Sequence, residues 1–338
     1  MIQWMIILYL LFCFYKITPT KETMMCMHPF LKSHFTVESA SVNHCKVSAG
    51  DRSFVFPSIV FNDLHVHFLL KNKIETNRIL ALYGIPVPLH QLIFLTEKNI
   101  PLMIPFPIVL KPIDGMQGED VITDISCMQH YTKICSELNK KYKTIMAEEQ
   151  VRGNVYRFFL FNHQVLHVIL RETPFVVGDG IHTVGQLIQS RNDDLVKQNM
   201  FPTTKNIMCP SLDLVLEKNQ TMEITHTLNF HNGSIPYAIS LDQISPDLLK
   251  MMRFISHVLH IMCCGIDFIG DHKKGKGSVL EINGDPDTWI HIKSEINCPL
   301  YMNIKKEMDD LLMTVPMGYD RADRSIRDPP INSGNATF

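Results

Sequence analysis

"SVLEINGDPD", residues 278–287, ends a short apolar run with an acid and an amide two residues apart, and a Gly-Asp-Pro turn follows at once. In a strand, residues i and i+2 face the same way, so Glu281 and Asn283 project together from one side. Just before it, "GIDFIGD" (265–271) is a second short strand, joined to the first by the basic turn "HKKGKG" (272–277). Cross-strand pairing in such a hairpin can bring Asp267 beside Glu281 and Asn283. Two carboxylates and an amide oxygen form a hard-oxygen cluster. That set suits Mg²⁺, which takes few protein ligands and fills its other positions with water and phosphate oxygens. Taken singly, each acid reads better as a solubility charge on an edge strand.

Two lysines upstream change the weighing. Lys73 opens "KIETNRILALYGIPVP" (73–88), an apolar-faced helix with Gly84 as its stop and Pro86 and Pro88 beyond. Lys111 ends the apolar strand in "FPIVLKPIDGMQGEDVIT" (106–123), directly before a loop containing Gly115 and Gly118. A lysine leaving a buried strand beside a glycine turn is placed to neutralise phosphate, with loop N–H groups closing over it. A solvated surface charge explains either lysine alone. The Walker spacing G-x-x-x-x-G-K-[ST] is absent.

Elsewhere, 54–70 alternates loosely and reads as strands, "HQLIFL" (90–95) as a strand and 126–140 as a helix. "YKTIMAEEQV" (142–151) reads as a strand with a polar end. "VYRFFLFNHQVLHVILRETP" (155–174) is a hairpin turning at Asn162-His163. A helix opened by Thr183 runs to about 192, and Ser245 and Pro246 open an amphipathic helix read through 264.

The chain has 338 residues, 46% hydrophobic and 20% charged, with a net charge of −2. Such a composition supports a large core and gives no global basic excess toward nucleic acid. Nine cysteines without a C-x-x-C pair fit neither a zinc knuckle nor a disulfide framework, and scattered reduced thiols fit best. His65 and His67 near Asp63 lack further ligands at suitable spacing and read as a polar face. Residues 1–23 are an apolar segment whose run from Trp4 to Tyr15 is short for a bilayer span and has no basic n-region. Weak membrane contact through 4–15 and a buried first strand are both open readings. Residues 24–70 form an extension that is partly strand, and the tail 318–338 is expected to be disordered.

Five ordered segments, from about 71 to 312, resemble the ATP-grasp superfamily, in its carboxylate–amine ligase branch. "NKIETNRILALYGIPVP" is similar to N-K-x-x-T-x-x-x-L-x-x-x-G-[IF]-P-V-P, and "PIVLKPIDGMQGEDV" to P-x-V-x-K-P-x-x-G-x-x-G-x-G-V. "EEQVRGNVYRFFLFNHQVLHVILRETPFVVGDGIHTVGQLI" is similar to E-x-x-x-G-x-[DE]-x-R followed by an arginine strand and G-D-G-x-H-T. "GIDFI" and "LEIN" resemble that superfamily's metal-binding strands. The resemblance implies an α+β fold over 71–317, with a central lobe (106–150) and a C-terminal lobe (151–317) clasping ATP between antiparallel sheets.

It also implies roles. Lys73 and Lys111 would hold ATP phosphates under the Gly115–Gly118 loop, with Glu148 and Glu149 near the adenine. Asp267, Glu281 and Asn283 would hold Mg²⁺, with Mn²⁺ as an alternative, and Asn283 would also belong with Arg157 and Arg171 at the reacting centre. Asn229, Asp179 and His182 are the candidates nearest the acceptor substrate, though a plain hairpin turn explains Asn229 as well. The implied reaction joins a small carboxylate, such as an amino acid or short peptide, to an amine through an acyl phosphate, in the cytoplasm; a homodimer is compatible. Two departures stand out. Val155 occupies the position of an acid that would bind ribose, and Asp120 that of the second glycine of the phosphate loop. They keep open a degenerate ATP-grasp protein that binds nucleotide or peptide without catalysis.

Overall fold

The computed structural model describes residues 34–41, 44–57, 61–96, 101–113, 120–205, 207–225 and 229–314. The apolar head, Gly115, Gly118 and the tail from 318 lie outside the described residues. The chain divides into two compact units, 1–64 with 301–338, and 65–300.

In the first unit, β1 (Thr36–Ser41), β2 (His44–Ala49) and β3 (Arg52–Pro57) form an antiparallel meander. The unit also takes α7 (Leu300–Thr314) from Tyr301 onward. Arg52 donates to the carbonyls of Leu312 and Met313 at 3.4 and 3.0 Å, which satisfies acceptors that the last helical turn leaves open.

The second unit takes α1 (Leu64–Lys71) from His65 onward. The strand expected over 54–70 therefore stops at Pro57, and His65 and His67 lie on a helix. Loose alternation misleads here because "LHVHFLLK" also has helical spacing, and Val66 and Leu70, four apart, both enter the core. α2 (Lys73–Leu82) ends as its sequence predicts. Gly84 takes φ 73°, and Ile85 N–H reaches back to Leu80 C=O at 3.0 Å, closing a Schellman motif.

Two antiparallel sheets follow. β4 (His90–Phe94), β5 (Ile108–Pro112), β6 (Ile122–Ile125) and β7 (Thr144–Glu149) lie in the order β4-β7-β5-β6. α3 (Met128–Leu138) packs Tyr131, Ile134, Cys135 and Leu138 against one face, with Ile108, Leu110, Ile145 and Ala147. The alternate residues Lys111 and Glu148 therefore face the other way.

β8 (Asn154–Phe161), β9 (Gln164–Glu172), β12 (Ile235–Ile239), β13 (Cys263–Asp271) and β14 (Lys276–Asn283) form the larger sheet, ordered β12-β9-β8-β13-β14. β8 and β9 turn at Asn162-His163, both with positive φ, as a two-residue hairpin of this hand requires. α5 (Pro246–Val258) buries Leu248, Met252 and Ile255 on the core face beside Phe158, Ile266 and Phe268. α5 ends at Val258, not 264. His260 adopts φ 53° and Ile261 N–H bonds Ser256 C=O, a stop made without glycine and so invisible to a glycine search. β10 (Phe175–Val177) and β11 (Thr221–Glu223) form a small ribbon, and α4 (Val184–Lys197) starts from Thr183 with a full capping box. α6 (Trp289–Ile292) is a single turn.

Candidate active site

Two β-bulges decide which side chains reach the open face of the larger sheet. Phe268 pairs with Val279 while Asp267 pairs with Glu281, so Leu280 is the extra residue. In an unbroken strand Val279 and Glu281 would share a face. The bulge keeps Val279 in the core and turns Glu281 outward, opposite Asp267. A second bulge, between Phe159 and Leu160 opposite β9, keeps Val165 in the core and places His167 across from Phe159.

Arg157 lies on β8 directly across from Asp267 and binds it in a fork, Nε to Oδ1 at 2.7 Å and Nη2 to Oδ2 at 2.8 Å. Arg171 reaches the same Oδ2 through Nη1 at 3.1 Å. Gly265 makes room for this: a Cβ there would lie 3.3 Å from both Arg157 Cδ and Pro286 Cβ. All three charged groups are at least 89% shielded from solvent. Burial alone would raise the Asp267 carboxyl, but Arg157 and then Arg171 outweigh it and hold the group below the usual carboxylate range. Burial likewise opposes charge on Arg157, and Asp267 more than offsets it. Arg171 has the smaller share of the acid; burial and the neighbouring Arg157 push it down to about 10. Its Nε is buried and has no hydrogen-bond partner.

Lys73, at the start of α2, approaches Glu281 at 3.3 Å, so the row continues along β14. Asn283 is opposite Gly265 and accepts from Asp285 N–H at 3.0 Å. On the smaller sheet Lys111 binds Glu148 at 2.6 Å, and the other oxygen of Glu148 is buried without a partner. Glu149 instead accepts from Leu89 N–H at 3.3 Å at the edge. Asp120 adopts φ 51°, and its carboxylate takes bonds from Tyr142 Oη at 2.7 Å and Lys141 Nζ at 3.0 Å. Those two bonds, Tyr142 first, lower its pKa.

The structure thus joins Arg157, Arg171 and Asp267, pairs Lys73 with Glu281, and pairs Lys111 with Glu148. Asp179 and His182 bond to each other and not to this group. Asp179 accepts from the N–H groups of Ile181 and His182 and from the His182 ring, closing an exposed turn ahead of α4. Asn229 accepts from His231 N–H at 2.9 Å and opens the 3₁₀ turn Phe230–Asn232.

Val155 is 4% exposed and stands opposite Arg171 across β8 and β9. An acid at 155 would meet Arg171 head-on, whereas valine leaves that guanidinium to Asp267. Beside them opens a cavity of about 540 Å³ lined by Asn154, Val155, Arg171, Glu172, Phe175 and Glu223, among others. Sequence reasoning passed over His167, His291, Glu295 and Cys298, which meet on the same sheet face. His167 shares its Nδ1 with His291 Nδ1 at 3.0 Å, and His291 is fully buried. Burial, then His167, keeps the His291 ring well below the ordinary histidine range, and its Nε2 has no partner.

The oxygen set fits a hard divalent cation. A carboxylate offers about four acceptor sites, and Asp267 spends three of them on guanidinium N–H groups, keeping one on Oδ1. Glu281, 44% exposed, and Asn283 add oxygens from the same edge.

No family model matches the chain. It is 24% identical over 264 residues to cyanophycin synthetase of Geminocystis herdmanii, covering 71% of this chain and 30% of that protein. It is 26% identical over 254 residues to the bifunctional glutathione biosynthesis protein of Mannheimia succiniciproducens, covering 66% of this chain and 33% of that protein. The chain therefore spans about a third of the length of the curated relatives it matches. Among solved structures, a bifunctional glutathione synthetase from Pasteurella multocida superposes with a TM-score of 0.53 at 18% identity, over 87% of this chain and 44% of that one.

Proposed function

From a chain that has the ATP-grasp fold and is similar in sequence to ligases of that superfamily, we propose an ATP- and Mg²⁺-dependent carboxylate–amine ligase. It would form an amide through an acyl phosphate, with an amino acid or short peptide as the carboxylate. The observation that carries this reading is the buried Arg157–Asp267–Arg171 group beside Glu281 and Asn283, with the Arg171 Nε donor unspent.

Lys111 and Lys73 would take the phosphates, releasing Glu148 and Glu281 from their present pairs. The unpartnered oxygen of Glu148 suits a ligand N–H, such as the adenine amino group. Asp267, Glu281 and Asn283 would hold the Mg²⁺, which when bound lowers the repulsion between the nucleotide and the attacking carboxylate. Arg157 is fixed by its fork and orients Asp267. Arg171 would place its Nε–H against the substrate carboxylate and then the acyl phosphate, where negative charge gathers. The acceptor would take the cavity beside Arg171, whose wall residues Glu172 and Glu223 would favour an amine.

A thermal melt tests the nucleotide half. ATP with Mg²⁺ is expected to raise the melting temperature, because a ligand that binds only the folded chain stabilises it by mass action. The rise should need Mg²⁺ and vanish in Glu281→Ala. No rise at millimolar ATP would reject the ligase and favour peptide binding alone.

Asp120 is not expected to oppose the nucleotide, since Lys141 and Tyr142 already hold its charge. Asp120→Gly should therefore leave the ATP affinity unchanged. Tighter binding by tenfold, read by titration calorimetry, would show that the carboxylate does face phosphate.

A further inference from the structure

Three atoms converge beside β9. Glu295 Oε1 lies 2.9 Å and Cys298 Sγ 3.4 Å from one and the same atom, His167 Nε2. All three lie within 4.8 Å of one another. An imidazole nitrogen, a carboxylate oxygen and a sulfur, all metal-ligand types, meet at this point. A ring nitrogen carries either one proton or one lone pair. With the proton it donates to Glu295, and the Cys298 sulfur is left with the Leu300 backbone N–H. With the lone pair it accepts from the thiol, and then faces a carboxylate oxygen that brings only lone pairs. A single cation would satisfy all three at once.

We propose that His167, Glu295 and Cys298 form a site for a divalent transition metal of the zinc class. The donor set is imidazole, carboxylate and thiolate, three ligands of the types zinc takes, with a fourth position open. The spacings agree. For a tetrahedral zinc ion the N–O and N–S edges would be about 3.4 and 3.6 Å, given metal bonds of about 2.0–2.3 Å. The observed N–O and N–S distances, 2.9 and 3.4 Å, lie within about 0.5 Å of those edges, and the oxygen and sulfur lie within 4.8 Å of each other. His291 supplies the outer support such a ligand requires: its Nδ1 meets His167 Nδ1 at 3.0 Å. With the metal on Nε2, His167 carries its proton on Nδ1 and donates it to His291. The Cys298 thiol loses its proton to solvent as the sulfur–metal bond forms.

The sequence places these ligands well. The β-bulge on β9 turns His167 to this face, and Glu295 and Cys298 sit three apart in the segment after α6. The metal would clamp that segment onto β9, the strand that carries Arg171. This site is separate from the oxygen set of Asp267, Glu281 and Asn283, whose hard donors suit Mg²⁺, and it does not depend on the ligase reading.

The full chain, stripped with chelator and titrated with Co²⁺, tests it. One equivalent of Co²⁺ should bind with a thiolate-to-cobalt charge-transfer band and intense visible bands of tetrahedral type. Zn²⁺ should displace it, and excess Mg²⁺ should not. Cys298→Ser should remove the charge-transfer band. Glu295→Gln, half-exposed and safe for folding, should weaken Zn²⁺ at least tenfold while leaving the melt of the metal-free chain unchanged. His167→Gln should abolish the tight equivalent. A charge-transfer band that persists unchanged in Cys298→Ser would assign the thiolate to another of the nine cysteines and overturn the proposal. So would the absence of a tight equivalent in the wild-type chain, or Zn²⁺ affinity unaltered in Glu295→Gln.

Discussion

Asp267→Asn is expected to destabilise the folded chain by about 3–5 kcal/mol, the cost of removing one partner from a buried ion pair. The amide keeps the shape of the carboxylate but not its charge, and two guanidinium groups that are at least 89% shielded would face each other without an anion between them. Their repulsion is already visible in Arg171, which Arg157 helps push down to about 10. Urea unfolding of the isolated variant measures the loss. A second variant separates charge from packing: Asp267→Asn with Arg171→Met removes one stranded cation and should recover part of the loss. A drop below about 1 kcal/mol would mean that water reaches the arginines and the group is not buried in solution. The same carboxyl sets an acid limit. Its pKa is lowered on folding, so its contribution is full above the unfolded carboxylate value and is lost as pH falls through the folded one. Wild type should lose this increment below about pH 4, whereas Asp267→Asn has none to lose.

Much of this arrangement is legible in residues 278–287. The i, i+2 spacing of Glu281 and Asn283 and the adjacent "GIDFIG" strand predict that Asp267 joins them, and the register pairs Asp267 with Glu281 and Gly265 with Asn283. What alternation cannot show is the bulge at Leu280. "VLEIN" reads as a strand in which Val279 and Glu281 share a face, and only the extra residue reconciles a buried Val279 with an outward Glu281. Nor can the sequence show that Asp267 is spoken for. Arg157 and Arg171 are 110 and 96 residues away from it, and the diagonal reach of Arg171 depends on Val155 being apolar. The same limit hides the histidine–cysteine cluster, since His167 and Cys298 are 131 residues apart. The turns behave otherwise. Gly84, Asn162-His163 and Thr183 each announce a backbone geometry locally, and each forms as read. His260 does not, because histidine is a rare choice for a left-handed stop, and a reading from periodicity overruns the end of α5 for that reason.

Val155 changes the question from whether nucleotide binds to what Arg171 is for. An acid at that position would use up the guanidinium across β8 and β9; valine leaves its Nε–H buried and unpaired. A buried donor without an acceptor costs about 1–3 kcal/mol, and such a cost persists where a ligand supplies the acceptor. The bond from Arg171 Nη1 to Asp267 anchors one end of the guanidinium and leaves its buried Nε–H for another acceptor.

Arg171→Met should therefore lower turnover by about 10²–10³, the loss typical of removing one preorganised donor from developing negative charge. The measurement is ADP release with whichever carboxylate and amine pair a screen finds to be turned over, beside the ATP·Mg²⁺ melt of the same variant. Turnover should fall while the nucleotide-dependent rise in melting temperature stays, because Lys73 and Lys111 are the groups proposed for the phosphates. Arg171→Lys should not restore it, since an ammonium cannot bind Asp267 and present a second fixed donor in one plane. The pH profile gives an independent reading. With its pKa pushed down to about 10, Arg171 loses its charge earlier than an ordinary arginine, so wild-type turnover should decline as pH rises through that value. The residual turnover of Arg171→Met should show no such step. If Arg171→Met instead abolishes the melt shift, the guanidinium holds the nucleotide, and the stabilisation of the acyl phosphate must be sought in Arg157 or outside the group.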